Sequence, residues 1–163
     1  MNAIRKRAIL ILAVLLLFLS AGCGQTDAPE TAEVDLPDLY AAMAEDCGWD
    51  EDYMADVEGE LIESYYPGLS EISTKQLVAK VPAMSSDVNE IVLLQCETAE
   101  DAENAAGILQ ERIDSQVEGG AWYAETMEAW QKAKVLRQGT YAALIASGEF
   151  QESLEEQFNL RFS

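Results

Sequence analysis

Residues 90–97 read Glu-Ile-Val-Leu-Leu-Gln-Cys-Glu, and this stretch decides the fold. Ile91 to Leu94 are apolar at successive positions, so an extended chain is apolar on both faces until Gln95. Successive strand side chains point to opposite faces, and a strand buried on both belongs inside a sheet. Just upstream, residues 76–84 set Leu77, Ala79, Val81 and Ala83 on one face against Val78, Lys80, Pro82 and Met84 on the other. Pro82 has no N–H for a ladder, so this strand lies at an edge or ends there. Ser85-Ser86-Asp87 supplies the turn, and the two strands predict an antiparallel hairpin.

The flanks predict helices. Thr98 with Asp101 three residues on is a capping-box-like start, and a helix follows to about Glu118. Ala102, Ala106, Leu109, Ile113 and Val117 form its apolar stripe, with Ala105 and Ile108 beside it, and Gly119-Gly120 stops it. Tyr123 to Ala133 predicts a short helix burying Met127 and Trp130. Lys134–Arg137 and Thr140–Ser147 form a second hairpin around Gln138-Gly139. Phe150, Leu154 and Phe158, four apart, mark a C-terminal helix. Nearer the N-terminus, Asp35 caps a helix to Cys47 with Pro37 in its first turn, and Leu36, Leu39 or Tyr40, Met43 and Cys47 share one face. Glu60 to Tyr66 reads as a short helix or turn closed by Pro67-Gly68. Tyr65 and Tyr66 are adjacent and cannot share a helix face, so one packs inward and the other sits at a rim. The expected fold is α+β and two-layer: a four-stranded, mainly antiparallel sheet of two hairpins, with helices 99–118 and 150–160 on one face.

Residues 1–22 have the parts of an export signal. Arg5, Lys6 and Arg7 are basic, Ala8 to Leu19 are apolar, and Ser20, Ala21 and Gly22 are small. The apolar run of 12 residues is short of the ~20 that span a bilayer. Cys23 follows directly, and the pattern resembles the lipobox of bacterial lipoproteins. That resemblance implies cleavage between Gly22 and Cys23 and a diacylglyceryl group on Cys23, which holds the protein on the membrane. Residues 23–33 then form the lipidated cysteine and a polar tether, and residues 34–163 a single domain.

Removing 22 residues from 163 leaves 141, enough for one core. All 30 acidic residues but only seven of the ten basic ones follow Cys23, a net charge of −23. Such a surface repels nucleic acid and favours a basic protein or envelope partner. Histidine is absent, which excludes Ser-His-Asp and Cys-His catalysis within the chain and removes the commonest zinc ligand. The acidic run from Asp50 fails as a calcium loop, because Met54 stands at the third ligand position and Ala55 where glycine is needed. No metal or cofactor site is expected. The candidate binding residues are Trp122-Tyr123, as a platform on which a sugar could stack, and the pair Tyr65-Tyr66, one of which could face a ligand.

Several strings resemble one family in their order and spacing: Asp35-Leu36 with Leu39-Tyr40, Tyr65-Tyr66, Val81-Pro82-Ala83-Met84, Val88-Asn89-Glu90-Ile91 and Gly139-Thr140-Tyr141. Together they resemble the domain-of-unknown-function 4358 family, lipoproteins mostly of Gram-positive anaerobes, over roughly residues 34–158. The resemblance implies fold and location; no catalytic residues are known for the family. An anaerobic setting makes disulfides less used, so Cys47 and Cys96 are expected as two buried thiols. The functional expectation is a membrane-anchored extracytoplasmic lipoprotein that is not an enzyme and acts as a binding or interaction domain. Two alternatives stand beside it: a small-ligand or cation receptor, and a carboxylate-dependent hydrolase of the cell envelope. A convex two-layer domain is expected to offer no obvious cleft.

Overall fold

A computed structural model describes residues 33–84, 87–121 and 123–163. The export signal, Gly22 and Cys23, residues 24–32 of the tether and Trp122 lie outside the described residues. Helix α1 spans Leu36–Cys47; Asp35 accepts a hydrogen bond from the Asp38 N–H at 2.9 Å, and Gly48 closes the helix in the left-handed region at φ 69°. Strand β1 is Met54–Asp56, helix α2 Glu60–Tyr65, β2 Thr74–Pro82 and β3 Asn89–Cys96. Helix α3 spans Ala99–Ser115 from a Thr98 cap and runs into a wide turn over Gln116–Gly120. Helix α4 (Ala124–Lys132), β4 (Lys134–Gln138), β5 (Tyr141–Ser147) and α5 (Gln151–Leu160) complete the chain.

The strands lie in the order β1-β2-β3-β5-β4, every neighbouring pair antiparallel. The two expected hairpins are present, β2 with β3 and β4 with β5. Gly139 takes φ 58° as the first residue of the β4–β5 turn, a conformation glycine adopts without a steric penalty. Strand β3 is interior and buried at every position.

Register sorts the core into two halves. Val92, Leu94 and Cys96 of β3 join Ala142, Leu144 and Ala146 of β5 against Ala102, Ala105, Leu109 and Ile113 of α3 and Trp130 of α4. Ile91 and Leu93 join Tyr141, Ala143 and Ile145 against Leu36, Leu39 and Met43 of α1 and Leu154 and Phe158 of α5. Each fully buried Leu or Ile contributes about 1.5–3 kcal/mol by leaving water. Helices therefore cover both faces, and the two-layer expectation is corrected to three layers, with α3 and α5 on opposite faces rather than the same one. The cause is β3 and β5 themselves, whose alternate side chains are apolar in both directions, so each face needs its own helical cover.

The sheet has five strands rather than four. The addition, β1, lies within the acidic stretch that fails as a calcium loop. Its three residues leave Ala55 and Asp56 exposed and bury only Met54. It pairs with the end of β2 as Met54↔Pro82, Ala55↔Val81 and Asp56↔Lys80, and a Lys80–Asp56 ion pair at 2.6 Å joins the last of these. Pro82 is the final residue of β2, where its missing N–H costs no ladder bond. Cys47 and Cys96 are both free thiols and belong to opposite halves of the core. Cys96 is buried; Cys47 is only half-buried, at the last turn of α1.

Candidate functional site

At the start of β3, Asn89 and Glu90 point to opposite faces, and each ends in a polar network. Asn89 donates to the Tyr53 hydroxyl at 2.7 Å and accepts from the Ser147 hydroxyl at 2.7 Å, below α5. Gln151 closes that side, accepting from the Ser147 N–H and donating to the Ile145 carbonyl. Those groups join β3, β5 and α5, and no buried side-chain nitrogen or oxygen among the described residues lacks a partner.

Glu90 faces α3. It is 3 % exposed, the sole charged residue buried that deeply among the described residues. A carboxylate leaves water at that depth only with a matched partner. Arg112 supplies it side-on, Nε to Oε1 at 3.0 Å and Nη2 to Oε2 at 2.8 Å. The Tyr66 hydroxyl donates a third bond to Oε1 at 3.0 Å. Arg112 stands three residues after Leu109, so it shares the inward side of α3 while its long stem reaches the layer's end. Its guanidinium lies 5.0 Å from the centre of the Tyr65 ring and 5.4 Å from that of Trp130. Burial opposes the Arg112 charge, but the Glu90 hydrogen bonds and negative charge outweigh it, and its pKa stands above the ordinary value. Burial, then the Glu90 charge and hydrogen bond, push the Tyr66 phenol far up, so Tyr66 stays a donor.

Above this pair opens a cleft of about 610 Å³, between the ends of α2, α3 and α4 and residues Asp87 and Val88 ahead of β3. Glu90, Arg112, Gln116 and Thr126 give it polar groups; Tyr65, Trp130, Val81, Pro82 and Val88 give it aromatic and apolar wall. The expectation of a convex domain without a cleft is thereby corrected. Space opens because α3 ends at Ser115 and the Gln116–Gly120 turn leads away before α4 begins. A smaller cavity of about 320 Å³ adjoins it and shares Asp87, Val88, Asn89 and Thr126.

The aromatic candidates fall differently from one another. Tyr65 is half-buried on the cleft wall beside Arg112, and Tyr123, 74 % exposed, stands on the rim. Tyr66 is fully buried beneath Glu90 and does not line the cleft. Trp122 lies outside the described residues. Glu90 and Arg112 were not singled out from the sequence. A readable signal existed: a glutamate opening a strand apolar on both faces, and one arginine set against the apolar stripe of a helix.

Among the described residues no three Asp, Glu, Cys or His side chains converge as a metal site, and no helix is long and apolar enough to cross a membrane. The sequence profile of a family described as "Domain of unknown function (DUF4358)" matches residues 48–147. No curated protein matches the chain, and no solved structure does.

Proposed function

The chain belongs to the DUF4358 family, a domain of unknown function, and from its cleft we propose a lipid-anchored extracytoplasmic protein that acts by binding, without chemistry of its own. The anchor is Cys23, cleaved after Gly22 and carried on the outer face of the cell membrane, with residues 24–33 as tether. The observation that carries the binding reading is the cleft over the Glu90–Arg112 pair. Its volume of about 610 Å³ falls within the ~300–1,000 Å³ of small-molecule sites. It combines an apolar wall with a few fixed polar groups, the composition such sites share. This favours a small ligand, or a short segment of a larger one, over docking on a flat acidic face.

Two features argue for binding over catalysis. The Glu90 carboxylate already accepts three hydrogen bonds from Arg112 and Tyr66. Tyr66 and Arg112 both hold their protons well above neutral pH. Neither of these two groups is set to exchange a proton near pH 7.

A small-molecule screen on the full-chain protein, read by chemical-shift changes, tests the proposal. Ligands should perturb Tyr65, Arg112 and Trp130 together and produce no turnover. Binding confined to other surfaces refutes the cleft. A reproducible hydrolysis of wall fragments, lost in Glu90→Gln with the fold kept, moves the assignment to a carboxylate-dependent hydrolase. Fatty-acid labelling tests the anchor: label should be lost in Cys23→Ser, and its retention refutes the lipid site.

A further inference from the structure

Resting on that binding reading, we propose that the cleft takes a zwitterion, an α-amino acid or short peptide whose free carboxylate docks on the outer edge of Arg112. A guanidinium presents its five N–H groups as a rigid fork. Glu90 occupies the side formed by Nε and Nη2. The end formed by Nη1 and the second Nη2 proton makes no hydrogen bond among the described residues. No buried side-chain nitrogen or oxygen among them lacks a partner, so Nη1 is not sealed in the core. The Arg112 side chain is 17 % exposed and lines the cleft, so this free edge opens there. The rings of Tyr65 on α2 and Trp130 on α4 pack near the guanidinium. The result is a two-donor edge fixed before a ligand arrives, and a planar carboxylate matches it bidentately.

Charge decides the rest of the ligand. Asp87 and Glu90 both line the cleft, in a chain with 30 acidic and 10 basic residues. That field opposes a lone anion and opposes a phosphate dianion more strongly. A ligand carrying its own ammonium enters without net charge and can set that group toward the acidic wall. Val81, Pro82 and Val88 leave room for an apolar side chain.

The test is calorimetric titration of the full-chain protein with four probes: the dipeptide Ala-Phe, its C-terminal amide, its N-acetyl derivative and inorganic phosphate. Ala-Phe should bind, and the amide should bind at least about tenfold more weakly, because it loses hydrogen bonds to a charged donor. The N-acetyl derivative should be several-fold weaker, and phosphate should not compete. An amide as tight as the acid overturns the Arg112 assignment while leaving a binding cleft in place. An N-acetyl derivative as tight as Ala-Phe overturns the zwitterion, and competition by phosphate shifts the class to phosphoryl ligands. Silence from all four overturns the ligand class; the binding reading falls separately, on the wider screen. Arg112→Lys should erase the preference for acid over amide, and the wild-type comparison stands alone if that variant does not fold.

Discussion

Arg112→Met removes the partner of a carboxylate that is 3 % exposed. Glu90 then keeps one hydrogen bond, from Tyr66 at 3.0 Å, where it had three. Orphaning one member of a buried pair costs about 3–5 kcal/mol, and neither side chain is exposed enough for solvent to dilute that much, at 17 % and 4 %. A domain's whole stability is about 5–15 kcal/mol, so the variant should fold marginally, its Tm lower by roughly 10–20 °C. Urea denaturation followed by circular dichroism measures the loss. Glu90→Leu combined with Arg112→Met should recover most of it, since no charge remains buried. The double variant still strands the Tyr66 hydroxyl, and adding Tyr66→Phe should return about 1–3 kcal/mol more. A loss under about 1 kcal/mol for Arg112→Met, with no recovery in the double variant, refutes the reasoning: the pair would then be solvated, and the cleft floor would not be the fixed element on which ligand recognition is built.

Thr98→Ala removes the oxygen that accepts the Asp101 N–H at 3.0 Å and should cost about 1 kcal/mol in the same assay. Gly48→Ala meets no atom within 4 Å but must hold φ 69°, so it should lose about 1 kcal/mol from backbone conformation alone. Burial, then the charges of Asp46 and Glu149, push the Cys47 thiol up to about 11; burial and Asp101 do the same for Cys96. At pH 8 the folded protein should therefore alkylate about a hundredfold more slowly than the urea-unfolded chain, as measured by mass spectrometry with iodoacetamide. Because these pKa values are raised by folding, the thiols' contribution is complete below the ordinary thiol range and is lost as pH climbs toward about 11.

The legible parts of this chain are those written in neighbouring residues. Caps at Asp35 and Thr98 and the turn at Gly139 each need only a few residues of context, and all three stand where the sequence places them. The two hairpins follow from alternation and turn residues in the same way. Strand β1 was not legible because three residues are too few for a period, and only Met54 of the three is buried. The two-layer expectation failed against information already present: Ile91 to Leu94 are apolar on both faces, and that pattern demands helices on both.

The pair Glu90 and Arg112 lie 22 positions apart, and nothing local couples them. Their meeting depends on α3 lying on one face of β3 in one register, with Leu109 and Ile113 buried beside Val92 and Leu94. The sequence alone determined the segments, their caps and the interior place of β3, because those depend on periodicity and on backbone geometry within a few residues. Only the tertiary structure decided which face each helix covers, that a cleft opens past the end of α3, and that a buried carboxylate holds one edge of an arginine while leaving the other open. Those follow from side-chain packing between distant segments, where the cost of burying a charge is met by geometry that no single stretch of the chain contains.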